Sequence, residues 1–211
     1  MRIVQPSVSC INAPSRCELY EHIEHVGRVC YKSEDKITAN SAEQFIRSVI
    51  KKGHEAVIEH GSITVKFVCD RGVSHELVRH RLASYCQEST RYCNYSQNKF
   101  GNEITVVQPS WLTRPDAGAT IATDRDVWEY SCEQAERYYF ELLRRGHTPQ
   151  EARAVLPQSL KTEVVATMNP REWRHFFKLR CSPAAHPDMR HIANLAKEMF
   201  VENWPALFDD L

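Results

Sequence analysis

The sequence has no run of about 18 apolar residues, and its opening, MRIVQPSVSC, lacks the apolar core of a signal peptide. These two absences argue against a membrane as partner and make a cytoplasmic location the default expectation. Excess charge is also missing, because 27 Lys and Arg residues balance 27 Asp and Glu residues. A protein that coats nucleic acid needs a basic face, so the balance argues against nucleic acid as a partner.

Familiar metal and nucleotide motifs are missing as well. The chain contains no Gly-x-Gly-x-x-Gly, no Walker sequence and no Gly-x-Ser-x-Gly elbow. HEAVIEH (residues 54–60) and HELVRH (75–80) approach the zinc motif His-Glu-x-x-His, but their histidines are six and five residues apart. At these separations the side chains diverge around a helix instead of converging on one ion, so we predict no metal site.

The eight cysteines include no Cys-x-x-Cys pair, which removes support for a zinc ribbon or a thioredoxin-type motif. In the cytosol we expect most of them to be reduced thiols. The simplest interpretation of each is a small buried hydrophobic side chain.

Length and hydrophobic periodicity predict one domain spanning residues 1–211, with helices around a small sheet. Apolar residues alternate over 62–68, β-branched residues fill 162–168, and short strands are expected at 1–5 and 104–107. The helices are predicted at 18–25, 41–51, 70–81, 124–145, from 149 to Pro157, 169–180 and 188–203. Residues 84–98 fit neither period, and 108–118 are predicted to be a loop. The class is therefore α+β.

The segment 79–92, RHRLASYCQESTRY, concentrates groups that can bind an anion. Four potential cations lie within thirteen residues, beside amide, carboxyl and hydroxyl side chains. Guanidinium groups grip phosphate through paired hydrogen bonds, and small hydroxyl residues let backbone N–H groups approach the same oxygens. Gln87 can offer both a donor and an acceptor to a base edge. Composition alone is equally compatible with a solvated arginine-rich helix end.

This segment resembles the signature of the flavin-dependent thymidylate synthases, which have Arg-His-Arg followed eight residues later by serine and then by Arg-Tyr. Four further segments resemble the same family: GHEAVIEH (53–60), ARAVLP (152–157), MNPREW (168–173) and FKLR (177–180). The resemblance covers most of the chain. It implies the α+β fold of that family, with a small, mostly antiparallel sheet flanked by helices.

The resemblance also implies a reaction. Members methylate dUMP reductively to dTMP, take the carbon from 5,10-methylenetetrahydrofolate, draw reducing equivalents from NADPH through FAD, and release tetrahydrofolate. They are methyltransferases that assemble as homotetramers with active sites shared between subunits. The partners expected here are therefore these small molecules and further copies of the chain.

Site residues carry over from the matching segments. The dUMP-binding residues implied by the resemblance are Glu76, Arg79, Gln87, Glu88, Ser89, Thr90, Arg91, Arg153 and Arg180. Those implied for FAD are His54, Glu59, Ser62, Arg79, His80, Arg81, Gln87, Asn169, Arg171 and His175. Arg180 is expected to be catalytic, because a guanidinium beside N3 and O2 would stabilise an ionised uracil. Ser89 is assigned to binding, because the sequence identifies no base to activate it.

The chain departs from the family pattern in four places. The family's histidine just past the last arginine has no counterpart, because Ala184 falls there and His186 lies two residues beyond. Glu76 stands where some relatives have glutamine, His175 where some have asparagine, and Cys86-Gln87 where many have Asn-Glu.

Two alternatives remain open. One is a nucleotide- or RNA-binding module that uses the basic run with Tyr85, Tyr92 and Tyr95 for stacking. The other is a flavoprotein of this fold that does not make thymidylate.

Overall fold

The structure is a computed structural model, which describes residues 1–113 and 122–211. Its strands are β1 (Arg2–Val4), β2 (Ser7–Asn12), β3 (Ile63–Asp70), β4 (Ala83–Gln87), β5 (Thr105–Val107) and β6 (Lys161–Met168). Its helices are α1 (Arg16–Tyr31), α2 (Ser41–Lys51), α3 (Arg71–Leu77), α4 (Asp124–Arg144), α5 (Pro149–Ala152), α6 (Pro170–Arg180), α7 (Pro187–Asn203) and α8 (Pro205–Phe208). Within the predicted loop 108–118, Ser110–Thr113 forms a 3-10 turn. Residues 114–118 of that loop lie outside the described part.

The strands form two sheets. β1 pairs with β5 in parallel, with Ile3 opposite Val106, and the other four strands lie in the order β2-β3-β6-β4. Every second residue of β3 and β6 is buried, as the alternation predicts. Helices with a small, mostly antiparallel sheet make the class α+β, and this prediction is confirmed.

The sequence did not predict strands β2 and β4, and the predicted end of α3 was wrong. Residues 83–87 form strand β4 although their polar composition has no clear period, because a place beside β6 supplies the backbone partners. Helix α3 ends at Leu77, and the predicted continuation to residue 81 is not helical. Val73 and Leu77 are buried, whereas Val78 is exposed, so the buried stripe of the helix ends there.

Helix ends elsewhere follow their capping residues. Ser15 and Glu18 form a capping box that starts α1, and Thr123 with Asp126 starts α4 in the same way. Asn169 caps α6, and its Oδ1 accepts a hydrogen bond from the Glu172 backbone N–H at 2.8 Å.

The described chain divides into two compact units, neither of which is continuous in sequence. The first unit comprises Met1–Ser7, Val68–Leu77 and Cys86–Val164, and the second comprises Val8–Phe67, Val78–Tyr85 and Val165–Leu211. The unit boundaries fall inside β2, β3, β4 and β6 and at the end of α3. A single domain over residues 1–211 stays a prediction.

Each unit has its own core. The buried core of the first unit consists of Tyr95, Ile104, Val106, Trp128, Cys132, Tyr139, Ala152 and Leu160. The second unit buries an aromatic cluster around α6, whose members are Phe67, Trp173, Phe176, Phe177, Phe200 and Phe208. The Trp173 and Phe200 ring centroids are 5.0 Å apart, and the Trp173 indole N–H donates to the Ile63 carbonyl. Aromatic packing on one side thus fixes helix α6, which carries Arg171 and His175 of the residues predicted for FAD.

The expectation that nearly every cysteine is buried was wrong. Cys10, Cys17, Cys30 and Cys86 are exposed, and of the eight only Cys69 and Cys132 are buried. Cys17 and Cys30 lie on α1 outside its buried set, and the exposed positions of β4 alternate, so local geometry decides their exposure. In the described residues no helix combines the length and apolar character needed to cross a membrane.

Candidate active site

Helix α6 places the first group of functional side chains, all in the second unit. They surround what we call the Arg171 cavity, which has a volume of about 470 Å³. Its lining residues are Glu55, Glu59, Leu82, Asn169, Arg171, Glu172, His175 and Lys178. Four of them were predicted for FAD (Glu59, Asn169, Arg171 and His175), and the structure brings these four together. Glu55, Leu82, Glu172 and Lys178 were missed.

The cations of the Arg171 cavity are paired with carboxylates that are partly exposed to water. The Arg171 Nη1 lies 2.5 Å from Glu59 Oε1, and its Nε lies 3.7 Å from Glu55 Oε2. Lys178 Nζ is also 3.7 Å from Glu55. About half of each of the Arg171 and Glu59 side chains is exposed, so water screens this pair and it contributes little to stability. Such cations can turn to a bound anion at small cost.

A second cavity of the same unit, here the Arg79 cavity, also measures about 470 Å³. Its lining residues are Arg79, His80, Arg81, Leu82, Glu172, His175, Leu179 and Arg180. It shares Leu82, Glu172 and His175 with the Arg171 cavity. In the part of the chain that the structure describes, exposed Arg79 and Arg81 have no hydrogen bond or ion pair. Leu82 is 72% exposed, so the lining of this cavity offers an apolar side chain as well as the Arg79 and Arg81 cations.

His80 is the buried centre of this region, with only 4% of its surface exposed. Its Nδ1 lies 3.2 Å from Glu172 Oε1, and its Nε2 accepts a hydrogen bond from Arg180 Nε at 3.1 Å. Burial is the main cause that lowers the pKa of His80 below its ordinary 6.5, and Arg180 acts in the same direction. The hydrogen bond to Glu172 opposes the shift without cancelling it. His80 is therefore neutral at neutral pH.

His80, Glu172 and His175 place one ligand atom each within 4.8 Å of one another, a set that metals accept. Both ring nitrogens of His80 are already engaged, however, one by Glu172 and the other by Arg180. A neighbouring guanidinium also disfavours a cation. Hydrogen bonding accounts for this cluster without an ion, and the absence of a metal site stays a prediction.

Two residues predicted for FAD lie elsewhere in the second unit. His54 precedes a 3-10 turn, and its Nδ1 is 2.6 Å from the Tyr31 hydroxyl. Its ring stacks on Tyr31 with centroids 6.3 Å apart. Ser62 is exposed immediately before β3. Neither residue lines the Arg171 or the Arg79 cavity.

The second group of functional side chains lies in the first unit, around a cavity of about 350 Å³ that we call the Arg153 cavity. Its lining residues are Arg71, His75, Thr90, Arg153, Ala154, Leu156, Pro157, Gln158 and Leu160. None of them is acidic. Arg153 Nη1 donates to the Thr90 hydroxyl at 3.1 Å. A lining with basic side chains and no acidic one makes this cavity suited to an anion.

Thr90 and Arg153 were predicted for the nucleotide, and the structure brings them together. Arg71 and His75 were missed. Arg71 donates to the Thr162 hydroxyl at 3.3 Å and to the Glu88 carbonyl at 3.4 Å, which holds it in place. His75 was considered in the sequence only as a zinc ligand. The signal that could have found both residues was their position on the helix just before the basic run.

Gln87 and Glu88 are engaged in other ways. The Gln87 amide N–H groups donate to Ser74 and Thr162 at 3.0 and 3.3 Å, which leaves the amide oxygen for a ligand. Glu88 accepts from Lys161 Nζ at 3.0 Å. Glu88 lines a different cavity of the first unit, of about 610 Å³, and does not line the Arg153 cavity. Gln87 lines neither cavity.

Ser89, Arg91 and Glu76 also lie outside the lining of the Arg153 cavity. The Ser89 carbonyl accepts from the Tyr92 and Cys93 backbone N–H groups, so Ser89 starts a tight turn. Its hydroxyl accepts from the Arg91 N–H at 3.3 Å, and none of the described residues supplies a base to it. Ser89 is therefore not activated as a nucleophile within this chain. The Arg91 guanidinium lies over the Tyr92 ring, 5.4 Å from its centroid.

Known proteins are similar to this chain over most of its length. Residues 18–206 match the family model described as thymidylate synthase complementing protein. A flavin-dependent thymidylate synthase of Pyrococcus furiosus is 34% identical over 81% of this chain and 67% of its own length. That of Corynebacterium aurimucosum is 34% identical over 89% of this chain and 78% of its own length. A solved structure of the UMP/dUMP methylase PolB from Streptomyces cacaoi, bound with 5-Br dUMP, has a similar fold. Its TM-score is 0.77 at 22% identity, covering 99% of this chain and 96% of that chain.

Proposed function

This chain belongs to the family of thymidylate synthase complementing proteins, the flavin-dependent thymidylate synthases, and we propose that it performs their reaction with the residues described above. It is a methyltransferase that uses FAD and converts dUMP to dTMP. The carbon donor is 5,10-methylenetetrahydrofolate and NADPH is the reductant, with tetrahydrofolate released. The observation that carries the proposal is the family match over residues 18–206.

The second unit supplies what an FAD molecule needs. A pyrophosphate needs cations, and Arg79 and Arg81 are exposed without partners in the described part of the chain, while Arg171 and Lys178 are paired with partly exposed carboxylates. A flavin ring needs apolar surface, and Leu82 offers a largely exposed side chain. We assign FAD to the Arg171 and Arg79 cavities. His54 and Ser62 line neither cavity but remain expected FAD contacts. They would contact FAD bound in a second subunit, or a part of FAD that extends beyond the two cavities. When bound, the flavin supplies the hydride chemistry.

The first unit supplies what a nucleotide monophosphate needs. We assign the phosphate to the Arg153 cavity, because its lining contains basic side chains and no acidic one, and Thr90 adds a hydroxyl. Arg71 and His75 extend the set of expected phosphate contacts. The Gln87 side-chain N–H groups are engaged by Ser74 and Thr162, and its amide oxygen is the group proposed to accept from the nucleoside. Ser89, which holds its own turn, is proposed to lie beside it.

Arg180 is proposed to act on the uracil ring. C5 becomes nucleophilic only when negative charge develops at N3 and O2, and a positioned guanidinium stabilises that charge. Arg180 is already fixed at one edge by His80. Ser89 positions the nucleotide and forms no covalent bond, because no base activates it among the described residues.

Assembly and location belong to the same proposal. We propose a homotetramer with sites shared between subunits, a closed symmetric arrangement. A cytoplasmic location, without nucleic acid or membrane as partner, fits the balanced charge. Light scattering on flavin-loaded protein tests the assembly, and an active, flavin-loaded monomer would contradict it.

The decisive experiment uses the reduced enzyme without oxygen. Flavin absorbance and dTMP are followed after addition of dUMP, methylenetetrahydrofolate, or both. We expect reoxidation and dTMP only with both. A yellow protein that never forms dTMP would indicate the flavoprotein alternative. A colourless protein that does not take up FAD but retains RNA would indicate the binding-module alternative.

A further inference from the structure

We propose that Glu172 and His80 form a relay that holds Arg180 in one orientation, which makes Glu172 a positioning residue for the reaction. The role of Arg180 in this statement rests on the proposed function, whereas the relay itself rests on three side chains of one unit. Glu172 lies in the segment MNPREW, but the sequence analysis gives it no role. It is 7% exposed, and its carboxylate points to a histidine 92 residues away in the chain.

The direction of every hydrogen bond in the relay follows from one fact. An arginine side chain has only donors and is not deprotonated in proteins. His80 Nε2, 3.1 Å from Arg180 Nε, must therefore be the acceptor and carries no proton. The single proton of the neutral ring is then on Nδ1, which donates to Glu172 Oε1 at 3.2 Å. Glu172 thus selects the one tautomer that can accept from Arg180.

The surroundings keep each member of the relay in place. Glu172 is the third residue of α6, where the helix dipole favours a carboxylate. The neighbouring Trp173 and Phe176 are buried in the aromatic cluster, so α6 cannot easily turn. On the other side, the Tyr85 hydroxyl donates to the His80 carbonyl at 2.8 Å. Burial raises the pKa of Tyr85 to about 12, so that hydroxyl keeps its proton.

The groups that face His80 agree with a neutral ring. Glu172, His175 and Arg180 reach it from α6, and Tyr85 reaches it from β4. A proton on Nε2 would remove the acceptor of the Arg180 hydrogen bond. Loss of the Glu172 carboxylate would remove the reason for the ring proton to stay on Nδ1. Both changes should weaken the hold of His80 on the Arg180 guanidinium.

Two substitutions of Glu172 distinguish its role as a hydrogen-bond acceptor from its contribution to packing. Glu172→Met removes the acceptor at similar size, whereas Glu172→Gln keeps an acceptor oxygen. Glu43→Met is the control, because Glu43 is also the third residue of a helix in the same unit and is exposed. We expect Glu172→Met to lower kcat roughly 10- to 100-fold with little change in KM for dUMP. Glu172→Gln should keep a higher kcat than Glu172→Met, and Glu43→Met should stay close to the unchanged enzyme.

The second readout is independent of turnover. Nitrogen shifts of ¹⁵N-labelled histidine report the tautomer of His80, with and without FAD. We expect a neutral ring protonated on Nδ1 in the unchanged protein and in Glu172→Gln, and loss of that single tautomer in Glu172→Met. Circular dichroism checks folding. If Glu172→Met does not fold, the unchanged protein and Glu172→Gln still decide.

Three results would overturn the relay. The first is a ring protonated on Nε2 in the unchanged protein. The second is wild-type kcat in a folded Glu172→Met that has lost the tautomer. The third is a large loss of kcat in Glu172→Gln with the tautomer kept, because charge and not the acceptor would then matter. If the unchanged enzyme makes no dTMP, the proposed function fails, while the histidine spectra still test the relay.

Discussion

Arg180 of the second unit and Arg153 of the first unit differ in how their charge is held. Arg180 donates a hydrogen bond to the buried His80. Arg153 donates to the neutral Thr90 hydroxyl, and the cavity around it has no acidic lining residue. A guanidinium that a buried side chain holds suits chemistry that needs a fixed geometry. An open cavity of basic side chains suits a substrate that must be attracted and released in every turnover.

The largest expected effect tests Arg180, the arginine that His80 holds in place. Arg180→Ala should lower kcat about 10²–10³-fold while dUMP still binds, because the charge that Arg180 meets develops only during the reaction. Arg180→Lys should not restore the rate, since an ammonium cannot present a fork. A saturation series in dUMP, with flavin content checked, measures both. Wild-type kcat in the alanine variant would remove the catalytic role.

The next largest effect tests Arg153 and the cavity around it. Arg153→Ala should raise KM for dUMP about 10- to 150-fold, the loss of one charge-assisted contact, with a smaller change in kcat. Phosphate charge is the same in the ground state and the transition state. Arg145→Ala is the control, because Arg145 is an exposed arginine of the same unit that pairs with Glu141. If Arg153→Ala loses mainly kcat, the contrast between the two arginines is wrong.

A smaller effect concerns apolar surface. Leu82→Ala should weaken FAD binding by about 1–2 kcal/mol, or roughly 5- to 30-fold, because less apolar surface is removed from water. Val127→Ala, an exposed position on α4 of the first unit, is the control. Flavin fluorescence titration of the flavin-free proteins measures both. Equal FAD affinity in Leu82→Ala and the unchanged protein would place the ring elsewhere.

The smallest effect is on stability. Since the pKa of His80 is lowered in the folded protein, the unfolded chain binds more protons just below pH 6.5. The contribution of His80 is therefore complete above 6.5 and is lost as the pH falls below that value. Urea unfolding at several pH values should show a steeper loss on acidification in the unchanged protein than in His80→Gln. Parallel curves would show that His80 titrates normally.

Of the residues predicted for FAD, seven line the cavities of the second unit, because the basic run and the α6 segment carry recognisable residues close together in the chain. Of those predicted for dUMP, only Thr90 and Arg153 line the Arg153 cavity.

The sequence missed contacts between distant segments. His80 meets Glu172 and Arg180 across 92 and 100 residues, and neither hydrogen bond leaves a periodic signal. Arg71 was missed for the same reason, because its partner Thr162 is 91 residues away. Strand β4 was missed because pairing with a neighbour, not its own composition, makes it extended.

Helix α6 also limits which insertions and deletions this protein can accept during evolution. Glu172 and Arg180 both reach back to His80 from the two ends of one eleven-residue helix. An inserted or deleted residue between them would turn Arg180 by about 100° and shift it by about 1.5 Å relative to Glu172. Both hydrogen bonds could not then survive together. The number of residues from 172 to 180 should therefore stay constant among descendants that keep the activity.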